Sequence, residues 1–358
     1  RCATLEGVGT TLYDATREQI GEVLSGEPSY RIEQTWRGLY ESFAEPENIT
    51  TLSAALRKRL GEELPNALLP VRESVSDKGD TVKFLWHLAD GHHPIETVLM
   101  HYADRATVCV STQAGCAMAC GFCATGQAGF NRQLTVGEIV EQVVRAARHA
   151  KKRKQRVANI VFMGMGEPMA NYDNLLRAIT ILNAPWGVGV GARHMTVSTS
   201  GLVPRIRDLA AQSLQVRLAI SFHGATDEVR SRIMPVNKKY PVEELLSACE
   251  DYVGLKKQRI TFEYILIRDI NDSLDQARLL AKQARRVNAK VNLIPYNTVE
   301  GLEWERPDEP RQDEFLEILR NAGAEATLRR EKGHDIAAAC GQLRLQVEKS
   351  FARAEVLN

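Results

Sequence analysis

Thr107-Val108-Cys109-Val110-Ser111, followed four residues later by Cys116-Ala117-Met118-Ala119-Cys120-Gly121-Phe122-Cys123, reads as a short apolar strand running into a loop with three cysteines. The β-branched run predicts a buried strand. The cysteines stand at gaps of three and two residues, a spacing that lets thiolates converge on one soft metal centre. Cysteine selects iron–sulfur clusters or zinc, and the residues alone leave both open. Three ligands leave one coordination position open, which is the arrangement of a catalytic metal.

Outward from this stretch the rhythm continues. Apolar strands are expected at Thr107 to Ser111, Asn159 to Met163, Met195 to Ser198, Val216 to Ser221, Ile260 to Ile267 and Lys290 to Ile294. Helical stretches alternate with them near 135–150, 172–182, 204–212, 241–253, 274–287 and 311–322. Thr135 and Glu138 form a capping-box signature at the start of the first helix. Continuous apolar strands alternating with helices imply a parallel sheet covered by helices. The fold class is therefore α/β. Six to seven such units suit a full or partial barrel of the TIM kind, and a partial TIM-type (β/α)6 barrel is expected, with a small N-terminal helical domain and a short β extension.

In such folds ligands bind at the carboxyl ends of the strands. Those ends carry Cys116 to Cys123, Gly164-Met165-Gly166-Glu167-Pro168, Ser198-Thr199-Ser200-Gly201, Ser221-Phe222-His223 and Pro295-Tyr296-Asn297. Small and polar residues gather where a ligand must approach the backbone closely.

Four regions are expected. Residues 1–70 form a helical accessory domain, 71–104 a β extension or linker, 105–300 the barrel and 301–358 a C-terminal segment. Helices fall at Thr16 to Leu24, Ile32 to Phe43 and Leu52 to Leu60; the strands of a hairpin fall at Thr81 to Leu88 and Ile95 to Met100. Trp36, Arg37, Tyr40, Arg57, Lys58 and Arg59 mix aromatic and basic side chains, which fits either a solvated cap or an RNA contact. The basic run Lys151, Lys152, Arg153, Lys154 and Arg156 fits a helix C-terminus or an RNA backbone equally well.

Composition is that of an ordinary globular protein: 44% hydrophobic, 25% charged, net charge +1 over 358 residues. No global field draws it to a polyanion, so any such site is local. No apolar run reaches the roughly 20 residues of a membrane span, and no charged-then-apolar secretory leader is visible. Seven unevenly placed cysteines point to a reducing cytoplasm and to metal or catalytic use.

The cysteine loop, with Phe122 before its last cysteine, resembles the radical S-adenosylmethionine superfamily. Ser111-Thr112-Gln113-Ala114-Gly115-Cys116, Gly129-Phe130-Asn131-Arg132, Met163 to Pro168, Ser198 to Gly201 and Ala339-Cys340-Gly341-Gln342-Leu343 narrow the likeness to the RlmN/Cfr family of RNA methyltransferases. It is closest to the RlmN side and runs from Leu12 to Val347. The resemblance implies a radical SAM barrel in which Cys116, Cys120 and Cys123 hold a 4Fe–4S cluster. Gly166, Glu167, Ser198, Ser221, Phe222, His223 and Asn297 would contact S-adenosylmethionine, with two molecules used per turnover.

It further implies that Cys340 carries the methyl group, that Cys109 resolves the intermediate through a disulfide, and that Glu96 accepts the proton. The implied reaction is methylation of adenosine carbon 2 in 23S rRNA and in tRNA, through a transient enzyme–RNA adduct. The implied partners are RNA and an electron donor such as flavodoxin with its reductase, for a monomeric cytoplasmic enzyme without a membrane.

On residue type alone, Cys109 is a buried small hydrophobe, Cys340 follows a small-residue packing surface, Glu96 faces solvent and His223 is a satisfied strand-end histidine. Cys2 and Cys249 carry no role. Asn297-Thr298 replaces the expected asparagine–proline, and the acidic stretch Val299 to Arg311 reads as a loop at the substrate face. The competing assignments are carbon-8 methylation of the Cfr type, a radical enzyme on a non-RNA substrate, and a zinc-stabilised RNA-binding module.

Overall fold

A computed structural model of the chain describes residues 9–91, 93–299, 301–329, 333, 335–339 and 341–343. Three helices come first: α1 (Arg17–Val23), α2 (Tyr30–Tyr40) and α3 (Ala54–Glu63). Thr16 and Ser53 start α1 and α3 by accepting the amide protons of Gln19 and Leu56. Trp36 and Tyr40 are core residues, with ring centroids 4.7 Å apart. The cations around them are matched locally. Arg37 pairs with Glu33 and Glu41, Lys58 with Glu62 and Arg59 with Glu63, while Arg57 donates to the Glu47 carbonyl.

An antiparallel meander follows: β1 (Leu68–Val75), β2 (Thr81–Leu88) and β3 (Pro94–His101). β1 is an edge strand exposed along most of its length, so its sequence shows no alternation to announce it. β4 (Ala106–Cys109) pairs antiparallel with β3 and opens the parallel part. A two-stranded sheet, β5 (Gln113–Gly115) and β6 (Phe130–Gln133), closes the base of the cysteine loop, with α4 (Ala124–Gln127) between them.

Then come α5 (Val136–Lys152), β7 (Val157–Phe162), α6 (Tyr172–Asn183), β8 (Met195–Thr199) and α7 (Val203–Ala211). They are followed by β9 (Arg217–Ser221), α8 (Asp227–Ile233), α9 (Val242–Lys256), β10 (Ile260–Leu266) and α10 (Leu274–Arg286). β11 (Ala289–Pro295), α11 (Glu309–Asn321) and the short β12 (Ala326–Leu328) complete the described elements. The capping box expected at Thr135 is formed: its hydroxyl accepts from Glu138 N, and the Glu138 carboxylate accepts from Thr135 N.

The main sheet has ten strands in the order β1-β2-β3-β4-β7-β8-β9-β10-β11-β12, parallel from β4 onward. β7 and β11 are four strands apart, about 19 Å in a flat sheet at about 4.8 Å per strand. Yet residues on or just after β7, β8, β9, β10 and β11 line one cleft, so the parallel part curls into a partial barrel. A continuous buried core runs from Leu12 and Trp36 through Val140 and Ile160 to Leu343. Asp14 ties the leading helices to the barrel by accepting from the Gly137 amide at 2.6 Å and the Thr135 hydroxyl at 2.9 Å. Among the described residues no helix is long and apolar enough to cross a membrane.

Candidate active site

The cleft lies at the carboxyl ends of the parallel strands. Its walls include Cys116, Cys120 and Cys123, then Gly164, Gly166 and Glu167, then Ser198 and Ser200, Ser221 and His223, and finally Glu263 and Arg329.

The cysteine loop is held from both ends. Cys116 N donates to Gly129 O at 2.7 Å, Gly121 N to Ile233 O at 2.9 Å, and Ala124 N to Gly341 O at 2.8 Å. Gly115, at φ +75°, must be glycine: a β-carbon there would stand 2.0 Å from Gly129 O. Trp304 covers Gly121 so closely that a β-carbon would meet its ring at 2.6 Å. The acidic stretch containing Trp304 therefore packs on the cysteine loop, held by Arg268–Glu305 at 2.5 Å.

Burial pushes the Cys116 thiol up to about 12 and Cys120 well above its usual value, with the neighbouring cysteines adding to both. Buried thiols of this kind release their protons to solvent when iron or zinc binds, because the metal's charge compensates the thiolate. Among the described residues no three His, Cys, Asp or Glu side chains are grouped tightly enough to hold a single metal ion. Three soft donors lining one cleft are the donor set that iron–sulfur clusters and zinc both take.

The next strand end is laced to the loop before the cysteines. Thr112 N and Gln113 N donate to Met165 O at 2.8 and 3.2 Å, and Glu167 N donates to Gln113 Oε1 at 2.7 Å. Gly166 takes φ +99°, and a β-carbon there would lie 2.4 Å from Gln113 Cβ. The buried Glu167 carboxylate accepts from Ser200 N at 2.7 Å and Met169 N at 3.0 Å. Burial nonetheless raises its pKa, and these hydrogen bonds only partly offset the rise.

His223, at φ 55°, accepts the Ile265 amide on Nδ1 at 3.0 Å, so its remaining proton is on Nε2. Burial, and next the Arg230 charge, pull its pKa down to about 3, and the ring stays neutral. The Phe122 ring meets it edge-on at 4.8 Å.

Strand register shows what else faces the cleft. Lys83, Val98, Cys109, Val161 and Thr196 form one row across β2, β3, β4, β7 and β8. Paired residues share a face, and so do residues two apart, so Ser198 and Glu96 lie on this face as well. It continues through Ala219 to Ser221, Glu263 and Asn292. Glu96 is not solvent-facing as expected for an amphipathic strand. It is 1% exposed, and its carboxylate stands 3.0 Å from Lys83 Nζ. Lys83 Nζ also donates to Ala337 O at 3.1 Å.

Cys340 lies outside the described residues, and with it the Cys109–Cys340 pairing; its neighbours are fixed on two sides. Ala337 is held over Lys83, and Gly341 accepts from Ala124 beside Cys123.

Comparison with known proteins agrees with this geometry. The description "Radical SAM superfamily" matches residues 110–281. "Probable dual-specificity RNA methyltransferase RlmN 3" of Opitutus terrae is 49% identical over 342 residues, covering 90% of this chain and 91% of that protein. "Probable dual-specificity RNA methyltransferase RlmN" of Akkermansia muciniphila is 47% identical over 336 residues, covering 90% and 92%. The crystal structure of a radical SAM methyltransferase from Sphaerobacter thermophilus superposes with a TM-score of 0.90 at 47% identity, over 94% of this chain and 99% of that one.

The chain belongs to the RlmN family of the radical SAM superfamily.

Within this RlmN-family fold, Gly166, Glu167, Ser198, Ser221 and His223 border the cleft together with the three cysteines. Phe222 does not: its ring stacks on Phe262 in the core at 4.5 Å, which leaves only its backbone near the site. Asn297 is buried beside Arg306, whose Nη2 donates to its Oδ1 at 3.3 Å, and it is not part of the cleft wall.

Sequence reasoning missed Lys83, Arg230, Glu263 and Arg329. Glu263 sits at the cleft with Asn292 Nδ2 at 3.1 Å; burial raises its pKa, opposed by the charge of Arg329. A lone carboxylate inside the apolar strand Ile260 to Ile267 was the available signal. The basic run ending α5 lies at the other end of the barrel, where Arg156 O accepts from Ala106 at the start of β4. That is about 25 Å along α5 from the cleft.

Proposed function

We propose that this chain is a radical S-adenosylmethionine methyltransferase acting on carbon 2 of an adenosine in RNA, in 23S rRNA and in tRNA. The observation that carries the reading is the single sheet face shared by Glu96, Cys109 and the wall of the cleft. The names of the relatives, which speak of dual-specificity RNA methylation, support it.

In this reading Cys116, Cys120 and Cys123 hold a 4Fe–4S cluster, and the glycine-lined strand end with Ser198, Ser221 and His223 holds S-adenosylmethionine. When bound, that pair supplies the reductive cleavage that starts radical chemistry. Glu167 fixes the strand-end loops on which the cofactor rests. His223 presents a neutral Nε2–H donor, and Phe122 and Trp304 screen the cysteine loop from water.

Cys340 accepts a methyl group on sulfur from one S-adenosylmethionine, and a second is consumed in activating that methyl, giving two per turnover. The activated carbon bonds to adenine carbon 2 and joins protein to RNA. Glu96, oriented by Lys83, removes the carbon-2 proton. Cys109 then attacks the Cys340 sulfur as a thiolate, and the disulfide forms as the sulfur–carbon bond breaks. The electron pair of that bond leaves with the former methylene carbon, which takes up a proton to become the methyl group of the released base. A flavodoxin-type donor supplies the electrons, and the enzyme works in the cytoplasm as a monomer.

Anaerobic reaction of the iron-loaded protein with RNA and isotope-labelled S-adenosylmethionine, followed by nucleoside mass spectrometry, tests this. 2-Methyladenosine is expected. 8-Methyladenosine would assign carbon-8 chemistry, and a colourless zinc protein without iron or sulfide would remove the enzyme reading.

A further inference from the structure

Arg230, on α8, is 0% exposed. Its Nε donates to Phe222 O at 3.0 Å and its Nη1 to Asn237 Oδ1 at 2.9 Å. Its Nη2 donates to Ser200 O at 2.5 Å and Ser221 O at 3.3 Å. The guanidinium therefore gathers the ends of β8 and β9, two strands that border the cleft. Every one of these acceptors is neutral. Among the described residues no carboxylate forms an ion pair with it.

Four hydrogen bonds engage its five N–H donors. The carboxylate of Asp227 stands one residue removed, behind Asn237, which donates to it at 2.9 Å, and a buried charge without a direct partner is destabilising. Burial pulls its pKa down to about 10, so it stays a cation at neutral pH. Ser200 and Ser221, whose carbonyls it holds, line the cleft together with Cys116, Cys120 and Cys123 of the cysteine loop. The carboxyl end of α8 reaches the same loop, since Ile233 O accepts the Gly121 amide at 2.9 Å. A neutral amide could hold the same carbonyls at lower desolvation cost, so a cation here calls for negative charge beyond the indirect contact with Asp227.

We propose that Arg230 is the built-in counter-charge of the iron–sulfur site, its cation offsetting the negative charge gathered when Cys116, Cys120 and Cys123 bind a cluster as thiolates. This rests on reading the three cysteines as cluster ligands. Three thiolates outweigh the charge of the cluster core, and an added electron deepens the excess. A buried cation within reach thus stabilises the loaded protein over the empty one, and the reduced cluster over the oxidised one. Arg230 acts here as a positioning and charge-balancing residue, with no contact to substrate.

Two variants separate charge from hydrogen bonding. Arg230→Gln keeps an amide donor and loses the charge; Arg230→Lys keeps the charge and loses the fork. For each, the thermal midpoint is measured with and without the cluster, and the cluster midpoint potential by anaerobic titration. Wild type and Arg230→Lys should gain more thermal stability on loading than Arg230→Gln, whose potential should shift to more negative values.

A third variant covers the case in which Arg230→Gln does not fold. Exchanging Asp227→Asn with Asn237→Asp moves the carboxylate to the Arg230 Nη1 contact at unchanged net charge. It too should show a smaller loading gain and a more negative potential. Equal loading gains and potentials in wild type, Arg230→Gln and the exchange variant would overturn the proposal. So would Arg230→Lys behaving like Arg230→Gln, which would make the fork the purpose. A wild type that takes up no iron would instead remove the cluster reading itself.

Discussion

Two buried cations stand behind the elements that form the cleft, neither in its wall, and are treated differently. On the antiparallel side, Lys83 meets Glu96 at 3.0 Å and an ion pair is complete within the chain. On the parallel side, Arg230 meets only three carbonyls and an asparagine oxygen. The first arrangement holds a carboxylate at a defined place on the inner face, as a proton acceptor requires. The second leaves a cation without a direct anionic partner, the part proposed above for a bound cluster.

Breaking the pair on the hairpin side should have the largest effect. Glu96→Gln leaves Lys83 facing a neutral amide, as Arg230 does, and should lower methylation by about 10²–10⁴-fold, the span of a general base. Chemical denaturation of the same variant should show about 3–5 kcal/mol lost, the cost of a buried charge deprived of its partner. Gly201→Ala tests the other side. Its β-carbon would stand 3.1 Å from Arg230 Nη2 on a backbone at φ +106°, and a loss of roughly 1–3 kcal/mol is expected by the same measurement.

The histidine beside Arg230 gives a finer probe. His223 has a folded pKa of about 3 against about 6.5 in an unfolded chain. The unfolded state binds the extra proton between these values, so this contribution is full above about 6.5 and is lost as pH falls towards about 3. Denaturation across that window should show a slope contribution of about 1.4 kcal/mol per pH unit, absent in His223→Gln. The smallest stability change belongs to the double variant Lys83→Met/Glu96→Met. Replacing a buried pair by apolar groups is near neutral, so it should melt close to wild type while methylating nothing.

The parts of the molecule legible in the sequence are those set by local pattern. Strands such as Met195–Thr199 and Ile260–Leu266 were visible as apolar β-branched runs, and Thr135 announced α5 by its cap. The cysteine loop and the strand-end glycines could be found because their chemistry lies in short spacings.

What sequence could not give is register. Lys83 and Glu96 lie 13 positions apart in the chain and meet only because β2 and β3 pair as they do. Cys109 is a buried core residue whose place on the row from Lys83 to Thr196 is likewise a matter of register. Phe222 and Asn297 sit in motifs that border the site, but their side chains are committed to Phe262 and Arg306. Motif proximity alone could not reveal that.

The central claim, that the inner face carrying Cys109 performs a covalent methyl transfer, is tested most directly by Cys109→Ala. The loaded variant is incubated anaerobically with RNA and S-adenosylmethionine, and the protein is resolved by denaturing electrophoresis and mass spectrometry. A protein–RNA adduct linked through Cys340 should accumulate, with little free methylated RNA. Normal multiple turnover with no adduct would contradict the account.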